Sequence, residues 1–350
     1  MNKLNARFAK RHLLSIAFAA LAVIAVACNS DATATQVPST TATVSAPAST
    51  TTPEPTANSV IGSIPKATSA SELSTSRTIQ HTLGETTIEG SPERVVVLEF
   101  SFVDALASVG ISPVGIADDN KRGRIIPRVA EIIGDDWVSV GTRAQPNLEV
   151  ILSLEPDLII ADFQRHSAIY DELSELAPTI VLKSLQASYA ETLDSMVTIG
   201  QALGKVELVN ARIEEHSKSM TALAEQVPND ENRTFLAAVV WDEGFNAHAS
   251  EAYTMGVLKV LGLESAIVQE DPYAELNLES LVAIDPDVMF LMVAGDHTLV
   301  DDWESNPLWQ NLIAVQNESV INMDRNLWSR FRGIIAAEEI AKDTIAALYP

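Results

Sequence analysis

Short apolar runs rich in β-branched residues alternate with amphipathic segments along the chain from about residue 94 onward. The apolar runs are typical of buried strands: RVVVLEF (94–100), PVGIA (113–117), residues 137–140, PDLIIA (156–161) and TIVLK (179–183). The amphipathic segments have helical spacing: SFVDALASVG (101–110) and IYDELSELA (169–177). This alternation predicts parallel β-α-β units, and it places the start of the fold near Ser91.

Two helical segments divided by Gly204 follow. In the second, residues 206–227, apolar side chains recur at spacings of three and four and form one stripe that includes His216. The pattern predicts a helix of about 22 residues, roughly 33 Å long. Pro228 ends it, and we expect His216 to be a packed core histidine rather than a ligand.

The pattern of strands and helices then restarts, with a strand at 234–241, further apolar segments at 256–263, 287–294 and 319–323, and a closing helix at 334–349. NLEVILSLEPDLIIA (147–161) is echoed by NLESLVAIDPDVMFL (277–291). Coincidence in a common helix-turn-strand unit is one explanation. The other is an α/β fold of two similar lobes with mostly parallel sheets, bridged by the long helix, with a ligand cleft between the lobes.

The N-terminal segment differs from the rest of the chain. A basic start and a short apolar run ending in AVA predict a secretory signal. Cys28 is the only cysteine and follows AVA directly, as in a bacterial lipoprotein signal, where the cysteine is acylated and anchors the mature chain. A segment rich in Thr, Ser, Ala and Pro comes next and predicts a flexible stalk. The predicted boundaries are 1–27 signal, 28–75 stalk, 76–204 first lobe, 205–230 bridging helix and 231–350 second lobe.

The formal net charge is −24, which argues against nucleic acid as a partner because a phosphate backbone needs a basic surface. The chain has no GxSxG elbow, no phosphate-binding loop, no GxGxxG after a strand and no HExxH. We therefore expect neither an enzyme nor a cofactor, and no metal ion held by protein side chains.

Three arginines, Arg325, Arg330 and Arg332, fall within eight positions of this acidic chain. Arg330 and Arg332 alternate, so on an extended segment both would face one side. Guanidinium forks match carboxylates, so such a group could bind a multiply anionic ligand, with Trp328 and Phe331 as an apolar wall. Ordinary pairing with the abundant Asp and Glu is the alternative, and composition does not decide between them.

Further candidates lie on loops that would border the cleft. Arg143 follows the short strand at 137–140, Arg165 and His166 follow the PDLIIA strand, and Trp241 ends the strand at 234–241. A basic loop, which fits either the cleft rim or plain surface, consists of Lys121, Arg122 and Arg124.

Four stretches carry a resemblance to a known family. They are RVVVLEFSFVDALASVGISPVGIADDN, VGTRAQPNLEVILSLEPDLIIADFQRH, NLESLVAIDPD and DRNLWSRFRGIIAAEEIAK. Together they span about residues 92–345 and resemble the substrate-binding lipoproteins of iron-siderophore ABC transporters, class III periplasmic binding proteins, in the ferric-citrate-binding branch. GTRAQPNLE and WSRFRG are specific to that branch.

The resemblance implies two α/β lobes joined by one long helix, modest lobe motion and a shallow cleft in which arginines meet the anionic oxygens of a ferric chelate. The implied ligand-binding residues are Arg143, Arg330 and Arg332, followed by Arg325, Arg165 and His166. The chelator would hold the iron. It also implies that Glu149 and Glu279, one on each lobe, dock against the membrane permease.

We therefore expect a monomeric, extracytoplasmic, lipid-anchored protein that captures a ferric siderophore of carboxylate or citrate type and delivers it to an ABC permease. A binder of cobalamin, haem or a catecholate siderophore is the nearest alternative. A surface-anchored hydrolase or adhesion module is more distant, since it would need a nucleophile with its base or an exposed repeat surface.

Overall fold

The computed structural model describes residues 76–350, so the predicted signal, Cys28 and the predicted stalk lie outside the described residues. The described chain opens with an antiparallel hairpin of β1 (Arg77–His81) and β2 (Gly84–Ile88). The fold thus begins before Ser91, contrary to the prediction. The pattern missed this hairpin because only Ile79 and Ile88 of its ten strand residues are buried, so little apolar signal marks it.

The first lobe contains a five-stranded, wholly parallel sheet in the order β5-β4-β3-β6-β7. Its strands are β3 (Val95–Val97), β4 (Gly115–Ile116), β5 (Val138–Ser139), β6 (Leu158–Asp162) and β7 (Thr179–Leu182). The connecting helices are α1 (Phe100–Ser108), α2 (Pro127–Ile133), α3 (Leu148–Ser153), α4 (Phe163–His166) and α5 (Tyr170–Leu176). The strand order reverses at β3, so loops after the central strands meet at one edge, where ligands bind in open α/β sheets.

Two helices connect the lobes. A reciprocal capping box between Ser188 and Glu191 begins α6 (Tyr189–Leu203), which ends at Gly204 in the left-handed conformation. The next helix, α7 (Val206–Ala224), packs against α6 and against helices of the second lobe. It ends three residues before the predicted position. His216 on α7 is buried, with its Nε2 2.6 Å from the hydroxyl of Tyr189, so it is a packed core histidine as predicted.

The second sheet is mixed, with the order β11-β9-β8-β12-β13 and β10 paired to β8. Its strands are β8 (Thr234–Trp241), β9 (Gly244–His248), β10 (Glu264–Ser265), β11 (Tyr273–Glu275), β12 (Val288–Val293) and β13 (Val320–Asn322). Its helices are α8 (Tyr253–Val260), α9 (Leu278–Ile284), α10 (Leu299–Trp303), α11 (Pro307–Gln310) and α12 (Ile313–Gln316). Strands β9 and β11 run antiparallel and were not predicted.

The closing helix α13 (Ile334–Leu348) packs against α1 of the first lobe as well as against α7 and α8. The carboxylate of Asp104, fully buried on α1, accepts hydrogen bonds from the backbone N–H groups of Ile335 and Ala336 at 3.1 and 2.8 Å. It satisfies two of the free donors that every helix start presents. A Cβ on Gly333 would lie 2.1 Å from this carboxylate, so glycine is needed for the close approach.

The sequence echo is a repeated structural unit. Asn147 and Asn277 cap α3 and α9 by accepting a hydrogen bond from the third residue of each helix. The recurring aspartates Asp157 and Asp287 each accept backbone N–H bonds at the start of the neighbouring strand, from Arg94 at 2.8 Å and Thr234 at 2.7 Å. The repeated residues thus cap the helix and fix the strand in both lobes. Within residues 76–350, no helix is long and apolar enough to cross a membrane.

Candidate functional site

Charged side chains gather where four adjacent parallel strands of the first lobe end. Glu99 follows β3, Asp119 follows β4, Arg143 follows β5 and Arg165 follows β6. Because the strands are parallel, these positions share one edge of the sheet. Arg143 and Arg165, which the sequence placed at this edge, are thereby brought together.

Arg143 lies at the centre of this group and binds two carboxylates. Its Nε and Nη2 donate to Oδ2 of Asp119 at 3.1 and 2.9 Å, and its Nη1 donates to Glu99 at 3.3 Å. The guanidinium carbon lies 4.5 Å from the centre of the Phe100 ring, a cation–π contact. These contacts fix the orientation of the Arg143 side chain.

The same two carboxylates each hold a second arginine. Arg165 Nε donates to Glu99, whose side chain is 1 % exposed, and Arg124 Nη1 donates to Asp119. The result is a chain of alternating charges from Arg124 through Asp119, Arg143 and Glu99 to Arg165. Three cations thus share two anions.

His166 was expected to contact the ligand, but it is fully buried and positions Arg143 instead. Its Nδ1 accepts a hydrogen bond from the backbone N–H of Asp162 at 2.9 Å. The proton must therefore be on Nε2, which lies 2.7 Å from the backbone carbonyl of Arg143 and donates to it. Burial lowers the pKa of His166, which keeps the ring neutral. The histidine acts on the loop that carries the arginine.

The opening segment of the arginine motif is helical rather than extended. Residues Asn326–Arg330 form a π-helical turn, so the predicted extended alternation of Arg330 and Arg332 is wrong. This turn directs the two aromatic side chains inward. Trp328 is fully buried against Phe290, with ring centres 4.9 Å apart, and Phe331 is stacked on Phe100 of the first lobe at 4.9 Å. The predicted apolar ligand wall is part of the core.

Arg325 and Arg330 face the first-lobe cations with little compensation. The only hydrogen bond of the Arg330 side chain within residues 76–350 goes to Asn326 Oδ1 at 2.7 Å. The Nε of Arg325 is buried and has no hydrogen-bond partner among the described residues. Burial, together with the charges of Arg325, Arg124 and Arg143, lowers the pKa of Arg330 to about 10. Arginines from the two lobes therefore repel one another across the site.

Arg332 is buried behind this pair, with 6 % of its surface exposed. Its Nη2 lies 3.4 Å from the hydroxyl of Tyr273, whose ring meets His248 edge-on at 5.1 Å. Burial, with a contribution from Arg332, lowers the pKa of His248 to about 3. Trp241 is 36 % exposed, and its ring covers Gly244 of the β8–β9 hairpin, where a Cβ would lie 2.1 Å away. Within the described residues, no ring contact joins Trp241 to the arginines.

Sequence reasoning missed Glu99 and Asp119 and left Arg124 undecided. Asp119 lies two residues beyond the strand predicted at 113–117, so the rule that placed Arg165 could have found it, whereas Glu99 fell inside the strand predicted at 94–100. Two residues of the basic loop have different roles. Arg124 binds Asp119 and belongs to the site, whereas Arg122 lies over the Trp137 ring at 3.7 Å. Within residues 76–350, no cluster of three or more His, Cys, Asp or Glu side chains could hold a metal ion.

The family model described as periplasmic binding protein matches residues 95–327, which cover the parallel sheet of the first lobe and the mixed sheet of the second and, of the three clustered arginines, reach Arg325. The chain belongs to the periplasmic binding protein family. Relatives support the same assignment. The Fe(3+)-citrate-binding protein YfmC of Bacillus subtilis is 48 % identical over 279 residues, 80 % of this chain and 88 % of the relative. The Fe(3+) dicitrate-binding periplasmic protein FecB of Escherichia coli is 43 % identical over 269 residues, 77 % and 89 % of the two chains.

Solved structures show the same fold for this periplasmic binding protein. Staphylococcus aureus SirA complexed with staphyloferrin B matches with a TM-score of 0.68 at 24 % identity, covering 78 % of this chain and 98 % of that chain. The petrobactin-binding protein YclQ of Bacillus subtilis matches with a TM-score of 0.66 at 24 % identity, covering 79 % and 99 %. The predicted architecture of two lobes and a long helix is confirmed.

Proposed function

We propose that this protein binds a ferric siderophore of carboxylate or citrate type outside the cytoplasm and delivers it to the permease of an ABC importer. The observation that carries the proposal is the unpaired charge at the site. Six arginines meet there, and among residues 76–350 two carboxylates, Asp119 and Glu99, form salt bridges with them. A chain with net charge −24 has no shortage of acids to pair them.

The chemistry of such a ligand fits this surplus. A carboxylate chelate of Fe(III) presents several anionic oxygens on its surface, and guanidinium forks bind such oxygens with two parallel hydrogen bonds. The chelator holds the iron, so the protein supplies charge and shape rather than metal ligands. The relatives named for ferric citrate support this ligand class, and the protein is a binding protein rather than an enzyme.

A titration followed by tryptophan fluorescence tests the ligand class. Ferric citrate, a ferric hydroxamate, a ferric catecholate and cobalamin are added separately to the wild-type protein and to Arg330→Ala. We expect saturable binding of ferric citrate that weakens at least about tenfold in the variant, equivalent to about 1.4 kcal/mol. Arg128→Ala is the matched control, because Arg128 forms only an exposed pair with Glu131, and it should bind as wild type.

Cobalamin or a catecholate binding equally well to wild type and Arg330→Ala would contradict the assignment and favour the alternative ligands. Turnover of ester or phosphate substrates would support the alternative that the protein is a hydrolase.

For delivery, we propose that Glu149 and Glu279 dock against the permease. Both are exposed, and each lies in the first turn of an equivalent helix, α3 or α9. Their equivalent positions on two similar lobes suit a partner with two-fold symmetry. Replacing both by glutamine should abolish uptake of radioactive iron by cells while leaving ferric citrate binding unchanged. Loss of binding in that variant would argue against docking.

For location, we propose that the chain is exported and held at the membrane by acyl groups on Cys28. Mass spectrometry of the mature N-terminus decides this, since an unmodified cysteine or an uncleaved leader would contradict it. We further propose a monomer that binds no nucleic acid, which light scattering and a nucleic-acid binding assay would check.

A further inference from the structure

We infer that Asp119 competes with the anionic ligand for the arginines of the site. Its carboxylate accepts hydrogen bonds from guanidinium groups that the ligand must bind. The inference rests on the proposed function, since it concerns how the same site admits its ligand. It assigns Asp119 a part in setting affinity, because an anion must bind strongly enough to displace this carboxylate before it can enter.

The contacts of Asp119 are those expected of a ligand carboxylate. Its Oδ2 accepts from both Nε and Nη2 of Arg143 at 3.1 and 2.9 Å, and its Oδ1 accepts from the backbone N–H of the same residue at 3.0 Å, so the guanidinium donors converge on a carboxylate as they would on a ligand. The same oxygen accepts from Arg124. The charge of Asp119 also partly offsets the lowering of the Arg330 pKa by burial and the neighbouring cations. One protein carboxylate thus stands among arginines of both lobes.

The carboxylate is ionised in this position. Burial alone would raise the pKa of Asp119, but the hydrogen bonds from Arg143 and the charge of Arg124 lower it below its usual value. Asp119 therefore presents a full negative charge to the arginines at neutral pH, as the ligand would.

Asp119 differs from Glu99, the other carboxylate of the group, in ways that suit displacement. The Glu99 side chain is 1 % exposed, whereas that of Asp119 is 14 % exposed at the site surface. Asp119 and the next residue, Asn120, both have positive φ, at 60° and 55°, a conformation that Asp and Asn adopt more readily than most residues. Asp119 is thus reachable at the site surface, while Glu99 is a fixed counterion.

Competition of this kind lowers the affinity of the site for anions. Every anion that needs the Arg143 fork must first displace Asp119, so the affinities of all such anions fall by the same factor. The affinity for a weakly binding anion then becomes too low for capture, while the affinity for a multiply charged chelate remains sufficient. If Asp119 instead positions Arg143 for the ligand, its removal would weaken binding, so the two roles predict opposite signs.

The test measures binding by isothermal titration calorimetry for the wild type and Asp119→Asn, with ferric citrate and iron-free citrate as separate probes. Asparagine has nearly the same shape, keeps an acceptor for the Arg143 backbone and tolerates positive φ. We expect Asp119→Asn to bind both probes about tenfold more tightly than the wild type, because a charge-assisted contact with Arg143 no longer competes.

Two further variants control for folding and charge. Asp119→Gly removes the carboxylate and suits positive φ, so it should also bind more tightly, and it replaces Asp119→Asn if that variant does not fold. Asp135→Asn removes an equal charge from a fully exposed side chain that lies 3.8 Å from Arg122, outside the site. It should bind both probes as the wild type does.

Unchanged or weaker binding in the Asp119 variants would overturn the inference, as would an equal gain in Asp135→Asn. The proposed function fails separately, if the wild type does not bind ferric citrate. In that case iron-free citrate alone decides the role of Asp119, and no gain for that probe overturns the inference.

Discussion

The two lobes contribute equal numbers of arginines to one site but treat them differently. On the first-lobe side, Arg124, Arg143 and Arg165 each bind a carboxylate, Asp119 or Glu99. On the second-lobe side, a group of arginines forms no salt bridge with any residue in 76–350: Arg325, Arg330 and Arg332.

This difference in pairing separates two functions, fixing the geometry of the site and supplying charge to the ligand, which a single arginine cannot combine well. A paired arginine has a fixed direction, so it gives the site its geometry, but much of its charge is already used. An unpaired arginine keeps its charge for the ligand, at a cost in stability until the ligand arrives. We therefore expect loss of Glu99, the buried counterion of the first lobe, to affect mainly folding, and loss of the Arg330 charge in the second lobe to affect binding more than folding.

The largest effect on the first-lobe side should come from Glu99→Gln. The substitution leaves Arg143 and Arg165 in a site where Glu99 is almost fully buried, so two cations lose a shared counterion. Removing one partner of a buried pair typically costs about 3–5 kcal/mol, and we expect a loss of that order in the free energy of unfolding, measured by urea denaturation.

Glu131→Gln is the control for this change, since Glu131 pairs with Arg128 on the exposed surface and should cost less than about 1 kcal/mol. Equal effects of the two substitutions would mean that the first-lobe network does not stabilise the fold, and the proposed division of tasks would be lost.

The sequence predicted the strands that position the site better than it predicted how the charged side chains pair. Strand β8 has the bounds that its apolar run predicted, because a strand buried on both faces is a continuous hydrophobic signal. Arg143 and Arg165 were placed correctly at strand ends by the parallel topology alone. These predictions follow from local pattern and one rule about parallel sheets.

What the sequence could not predict depends on packing between distant segments. Trp328 was expected at the surface of the site, but a π-helical turn directs it into the core of the second lobe. The sequence analysis did not single out Asp119, and no local pattern shows its bond to Arg143, which joins residues 24 positions apart. Whether the arginines pair with protein acids or stay unpaired was open in the sequence, and the two lobes differ on this point.

A smaller and more diagnostic effect should come from Arg330→Gln, which removes the charge but keeps a donor for Asn326. Burial and the neighbouring cations lower the pKa of Arg330 to about 10, so the folded state disfavours its charge. This penalty is fully present below about pH 10, where the group is charged in both states, and it fades as the pH rises towards the unfolded value. At pH 7 we expect the variant to be more stable than the wild type by about 0.5–1 kcal/mol, a modest gain because solvent screens the group.

Arg330→Lys keeps the charge and should show no such gain. If Arg330→Gln proved less stable at pH 7, the charge of Arg330 would be compensated within the fold, and the second-lobe arginines would not be held in reserve for a ligand.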